Sequence, residues 1–146
     1  MADTSPPDPR PRVIELDIPN DVRFIERVVE RVQRECQDHH FAPRQVMLNV
    51  PVALTEALSN AILRGNSDDP SKTVHVRASV DMDRLVIEVR DQGGGFDIDA
   101  CTVEVSAETL EREDGRGLFL MKKLMDHVEC VSDAPGTTVR LTLNRA

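Results

Sequence analysis

The chain reads as an α+β protein: a two-layer sandwich with a mixed, mostly antiparallel sheet and three helices on one face. Three observations predict this. Thr73–Val80 and Arg84–Asp91 alternate apolar and polar residues on either side of Asp81-Met82-Asp83, which is the pattern of a β-hairpin. Three other stretches repeat apolar residues at steps of three and four, so each forms a helix with one stripe to bury. The element order β-α-α-β-β-α-β-β is rich in hairpins, and helices on one face of an antiparallel sheet are the simplest way to bury all three stripes.

Residues 1–12, MADTSPPDPRPR, hold four prolines and read as an unstructured tail, leaving 13–146 as the single domain. Val13–Ile18 alternates as a strand and stops at Pro19. Val22, Ile25, Val29, Val32 and Cys36 mark the first helix, with Asn20 able to cap its start. A second helical pattern runs from Pro43 to Arg64 and ends at Gly65-Asn66. Pro51 interrupts it, since an interior proline loses a backbone bond and clashes one turn back, so a kink or a new start near Pro51 is expected. Its stripe is Leu54, Leu58, Ala61 and Ile62. After the hairpin come an acidic, aperiodic stretch of lid type, 97–114, and a third helix opened by Gly115-Arg116-Gly117. Val128–Ser132 and Thr137–Asn144 close the chain as two strands around Pro135-Gly136.

The 146 residues suffice for one core and are 40% hydrophobic and 30% charged, as in globular domains. Eighteen basic against 26 acidic residues give a net charge of −8, and no Lys/Arg cluster offers a phosphate-backbone footprint, which argues against a nucleic-acid partner. No apolar run reads as a membrane span and no basic-then-apolar leader opens the chain. Cys36, Cys101 and Cys130 lack CxxC spacing and read as reduced cytoplasmic thiols, more for packing than for chemistry.

Four constellations carry possible chemistry. In RDQGGGFD, Asp91 keeps the inward parity of Leu85, Ile87 and Val89, so its carboxylate points toward the helix layer and needs a donor. The glycines after it, among them Gly93 and Gly95, either make a tight turn or let the backbone approach a bound molecule. Gly115-Arg116-Gly117-Leu118 leaves open N–H groups at a helix start, where anions are favoured, with Arg112 just upstream. It lacks the third glycine of a dinucleotide fingerprint, and no Walker loop is present. Glu56 and Asn60, one turn apart, form either a solvated polar face or a carboxylate-amide pair able to hold Mg²⁺ and poise a base. Thr137 shares parity with Val139, Leu141 and Leu143, so its hydroxyl points inward like Asp91.

E-x-x-x-N on a helix, D-x-G-x-G-F after a strand, G-x-G-L at a helix and G-T-T on the last strand, in this order, resemble the GHKL (Bergerat-fold) ATPases. TEALSNAILRGN, GRGLFLMKKLMD and GTTVRLTL are most similar to the anti-sigma-factor serine/threonine kinases of that superfamily. The resemblance covers residues 13 to 144. It implies ATP and Mg²⁺ as cofactors, with Asp91 accepting from the adenine amino group and Thr137 assisting through a water. It implies that Gly93 and Gly95 admit the base and sugar, and that Asn60 coordinates the metal. Gly115 and Gly117 would cradle the phosphates, with Arg112 or Arg116 at the γ-phosphate, and Glu56 would be the general base. Arg64 stands where the family commonly has His, beside the phosphates or a neighbouring side chain.

The partners so implied are a STAS-type anti-anti-sigma protein, whose serine is phosphorylated, and a sigma factor, with homodimers as in kinases of this type. A nucleotide-gated binding module without phosphotransfer, and a detached histidine-kinase catalytic domain, are the alternatives. The second of these lacks the dimerising helical hairpin with a phospho-accepting His.

Overall fold

The computed structural model describes residues 10–93, 113–133 and 136–146. Most of the expected tail and lid, with Gly95, Cys101 and Arg112, therefore lies outside the described residues.

Five strands form one sheet: β1 (Arg12–Pro19), β2 (Thr73–Val80), β3 (Arg84–Arg90), β4 (His127–Asp133) and β5 (Gly136–Asn144), in the order β1-β2-β3-β5-β4. Every ladder among the described residues is antiparallel. Asp81 closes the β2–β3 hairpin, its carboxylate accepting from the Asp83 and Arg84 N–H groups at 2.7 and 2.8 Å. The register aligns Ile14, Ala78, Ile87, Leu141 and Val128 as one row across all five strands. That row and its neighbours on the same face are apolar and pack under the helices, because strand side chains alternate between faces and only one face is covered.

The helices are α1 (Ile25–Asp38), α2 (Val50–Asn60) and α3 (Glu113–Leu124). A 3₁₀ turn, Val22–Phe24, precedes α1, and its N-cap is Asp21 rather than Asn20: the Asp21 carboxylate accepts from the Arg23 N–H at 2.9 Å. Helix α2 continues at both ends as π-helical turns, Gln45–Asn49 and Ala61–Gly65. Pro51 follows directly on the Gln45–Asn49 π turn, so the chain passes from a π turn into an α-helix at the proline. Leu54, Leu58 and Ile62 are fully buried between sheet and neighbouring helices, and α2 packs against both α1 and α3. Truncating one of these to alanine costs about 2–5 kcal/mol.

From Gln45 to Gly65 the helix is 21 residues long and has a mean hydropathy of 1.4 over its most apolar window, which is long and apolar enough to cross a membrane by length and composition. This corrects the expectation that no run reaches that size. Its apolarity follows from its position as the central helix of the layer, covered by sheet and by both other helices.

Cys36 is fully buried, and burial pushes its thiol up to about 12, with Glu35 adding to the effect, so it is an inert packing residue. Cys130 is disulfide-bonded, which corrects the expectation of three reduced thiols.

The uncovered face of the sheet is charged. Glu88 contacts Arg77 and Arg140 at 3.8 and 3.6 Å, and His75 sits between Asp17 (2.7 Å to Nδ1) and Glu15 (3.1 Å to Nε2). The bond to Asp17, supported by Glu15 and opposed by partial burial, raises the His75 pKa above its usual 6.5. A histidine with a raised folded pKa contributes stability that is complete below the unfolded value and lost as pH rises through the folded one. Urea unfolding followed across about pH 5.5 to 8 should therefore show a decline in stability over the upper part of that window. His75→Ala should flatten the decline, and an unchanged pH profile in the variant would show that the two acids do not hold the imidazolium.

Candidate functional site

The site forms where β3 runs out. Val76, Val89 and Val139 make the last complete apolar row of the central strands, and one step further the inward position on β3 falls to Asp91. Its N–H donates to the Thr137 carbonyl at 3.0 Å, and its Oδ1 accepts from the Thr137 N–H at 3.1 Å. Asp91 is 3% exposed, Thr137 is buried beside it, and the parity that aimed both side chains inward holds.

Burying a carboxylate disfavours its charged form, and desolvation is the largest influence on Asp91, raising its pKa. The backbone N–H groups of Thr137 and Gly93 oppose the rise, followed by the charges of Arg90 and Lys72. The acid is thus supported by two backbone donors and two nearby cations, in a site that excludes most water. Gly93 itself has φ 92°, a left-handed conformation that admits glycine and strains any other residue.

Two further glycines close on Asp91, one read in the sequence as a helix stop and the other as part of a turn and of the G-T-T motif. A Cβ on Gly65 would collide with Asp91 Oδ2, and one on Gly136 would collide with the Asp91 carbonyl oxygen. Gly65 reads locally as a helix stop and Gly136 as half of a Pro-Gly turn, so turn chemistry accounts for both and hides their contact with Asp91. The π turn is what brings Gly65 there: the Asn66 N–H bonds back five residues to the Ala61 carbonyl at 2.8 Å.

Glu56 and Asn60 form the other half of the site. Asn60 is 8% exposed, so this side of α2 is not a solvated face. It is covered by α3 at Gly117, where an added Cβ would lie 2.8 Å from Glu56 Oε2 and 3.4 Å from Asn60 Nδ2. Asn60 Nδ2 is buried and finds no hydrogen-bond partner among the described residues. A buried amide left unsatisfied beside a carboxylate is uncommon in a purely structural setting. Glu56, Ser59, Asn60, Leu63 and Arg64 line an open cleft of about 280 Å³. Arg64 therefore belongs to the same cleft, half-buried at its edge.

Two expectations change. The described part of helix α3 already includes Glu113, so Gly115, Arg116 and Gly117 lie within helical backbone rather than ahead of it. A glycine inside the ladder has its N–H engaged by the helix. Gly117 serves this arrangement through its missing side chain, which lets α3 approach Glu56 and Asn60. Leu118, expected beside the cofactor, is 2% exposed and part of the hydrophobic core, where an apolar side chain gains most.

Residues 18–143 match the family model described as the histidine kinase-like ATPase domain. The chain belongs to this family. The serine-protein kinase RsbW of Bacillus velezensis is 36% identical over 100 residues, which is 64% of this chain and 62% of that protein. RsbW of Bacillus subtilis is 34% identical over the same shares. The anti-sigma F factor of Halalkalibacterium halodurans is 33% identical over 98 residues, 65% of this chain and 67% of that protein. Within the ATPase family the chain is thus similar to anti-sigma factors and to serine-protein kinases, and its match spans only about 62% of the length of the RsbW relatives named here. A crystal structure of the RsbU and RsbW domains of a Mycobacterium tuberculosis protein superposes with a TM-score of 0.66. At 16% identity, over 92% of this chain and 33% of that one, it shows the common fold.

The contact between Gly65 and Asp91 is open to a double-mutant cycle. Gly65→Ala should cost about 1–3 kcal/mol in denaturant unfolding, because helix or acid must move to admit the methyl group. In an Asp91→Gly background the same change should cost clearly less, since the colliding carboxylate is gone. Equal costs in both backgrounds would show that the two residues do not press on each other.

Proposed function

We propose that this protein binds Mg²⁺-ATP and transfers the γ-phosphoryl group to a serine of a STAS-type antagonist, and that its nucleotide state governs its hold on a sigma factor in the cytoplasm. The observation that carries this reading is the division of labour along one helix. The Glu56–Asn60 pair lines an open cleft, and the far end of the same helix abuts a buried carboxylate at the end of the sheet.

In this scheme Asp91 recognises adenine. A buried carboxylate with two backbone donors can still accept a third N–H, and the exocyclic amine supplies it in water's place. Thr137 flanks that contact, and the left-handed conformation of Gly93 lets the main chain lie against base and sugar, a role assigned also to Gly95. Asn60 would hold the metal through its side-chain Oδ1, and the Glu56 carboxylate, which faces Gly117 together with Asn60, suits a hard cation that takes oxygen ligands. When bound, Mg²⁺ offsets the charge of the phosphate oxygens. Arg64 adds positive charge on the same cleft, and Arg112 or Arg116 would add more at the γ-phosphate. Glu56 takes the proton from the attacking serine hydroxyl. Most of the acceleration comes from alignment and charge neutralisation rather than from covalent work by the protein.

The names of the relatives support this reading: serine-protein kinase for some, anti-sigma F factor for others. Homodimers are part of the same proposal.

Two substitutions separate binding from transfer. Glu56→Ala should lower phosphoserine formation on the antagonist by about 10²–10⁴-fold. Titration calorimetry should find its ATP affinity nearly unchanged. Asp91→Asn should weaken ATP by about 10–100-fold, the loss expected for one charge-assisted hydrogen bond. Phosphotransfer by Glu56→Ala at the wild-type rate would end the kinase assignment, and ATP affinity untouched by Asp91→Asn would end the adenine assignment.

A further inference from the structure

Asn66 follows directly on the π turn of α2 and is fully buried. Its Oδ1 accepts from the Gln92 N–H at 2.7 Å, and its Nδ2 donates to Asn20 Oδ1 at 3.0 Å and to the Thr73 carbonyl at 2.9 Å. One side chain thereby joins the end of β1, the start of β2 and the segment after β3. None of these bonds goes to a carbonyl of α2, so the side chain is not an ordinary helix cap. Its own N–H already performs that task on the Ala61 carbonyl.

The segment Asp91–Gly93 is tied at three successive residues. Asp91 donates its N–H to the Thr137 carbonyl and accepts the Thr137 N–H at its carboxylate, Gln92 is held by Asn66, and the Gly93 carbonyl accepts from Lys72 Nζ at 2.9 Å. The Gln92 side chain adds a fourth tie, accepting from the Thr73 N–H at 2.8 Å. Of these, only the bond to Asn66 connects the segment to the helix that carries Glu56 and Asn60. An asparagine suits the position because the site asks for one acceptor and two donors in a single short group. An aspartate would set its charge against two oxygens.

We infer that Asn66 is the positioning residue that indexes the Asp91 loop to helix α2, setting discrimination for adenine without touching the nucleotide. The inference deepens the ATP-binding reading and rests on it. Loss of the Gln92 bond frees the loop to shift relative to Gly65, and a carboxylate displaced by a fraction of an ångström meets the exocyclic amine at poorer distance and angle.

Asn20 supplies the control. It donates to the Ile62 and Asp69 carbonyls at 3.3 and 3.0 Å and accepts from Asn66, so Asn20→Ala removes as many hydrogen bonds from the same network as Asn66→Ala yet leaves the Gln92–Asn66 bond in place. The experiment measures the affinities of ADP and inosine diphosphate, which differ at the purine amino position, by calorimetry at a temperature where circular dichroism shows every variant folded. Wild type should favour ADP. Asn66→Ala should lower that preference at least about tenfold, the worth of one well-placed hydrogen bond. Asn20→Ala should keep the preference within about twofold, while its melting temperature falls by a similar amount. Where the alanine variant fails to fold, Asn66→Ser keeps a polar group in the site but falls one bond short of Gln92, and the same loss is expected.

Retention of the preference by Asn66→Ala or Asn66→Ser would overturn the inference. So would a loss in Asn20→Ala that tracks its drop in melting temperature. A wild-type protein that binds neither diphosphate would overturn the ATP-binding reading itself.

Discussion

A carboxylate buried at the end of a β-strand organises this molecule. Asp91 has lost most of its water, which alone would favour its neutral form, and its surroundings oppose that cost with N–H groups from Thr137 and Gly93 and with the charges of Arg90 and Lys72. Space is controlled as tightly as charge. Gly65 and Gly136 close on the residue from a helix and from a neighbouring strand, and neither position admits a methyl group. The end of the sheet and the end of α2 must consequently stay in one fixed relation, and much of the polar structure nearby serves that relation.

Helix α2 is the other partner. Its middle is apolar and fully packed, and its two π turns carry the specialised features. An extra residue in a helical turn rotates the side chains beyond it to a new direction, and π turns are frequent at functional sites for that reason. The turn at Ala61–Gly65 places Gly65 on Asp91 and Asn66 among three strands or their extensions. The Glu56–Asn60 pair sits just before it, under Gly117 of α3. On the proposed reading, metal and general-base chemistry at one end and adenine recognition at the other would be mounted on a single helix, an economical way to hold a long ligand in register.

The close approach of α3 shows how small residues shape a contact. β5 lies between β3 and β4, so the chain must cross over the sheet after β3, and α3 makes part of that crossing. It contacts α2 where the facing residue is glycine, while Leu118 and Met121 from the same helix enter the core. Helix α3 thus combines an apolar anchor and a polar, glycine-faced contact within about one helical turn.

Much of this was legible in the residues themselves. Alternation in Thr73–Val80 and Arg84–Arg90, with the Asp81 turn, dictated the hairpin, and the parity of Leu85, Ile87 and Val89 aimed Asp91 inward whatever the fold around it. Helical spacing put Glu56 and Asn60 on one side of α2. These properties are local: they depend on periods of 2 and 3.6 residues and on turn chemistry. The roles of Gly65, Gly136, Asn20 and Asn66 were not legible, since in sequence each passes for a helix stop, a turn or a cap. Their partners lie far along the chain, as in the bond from Gln92 to Asn66 and the collision between Gly65 and Asp91. Local pattern determined the elements and the direction of the key side chains; only tertiary packing decided which glycine must stay bare and which asparagine joins helix to loop, because sterics and hydrogen bonds act through space on groups that the chain order keeps apart.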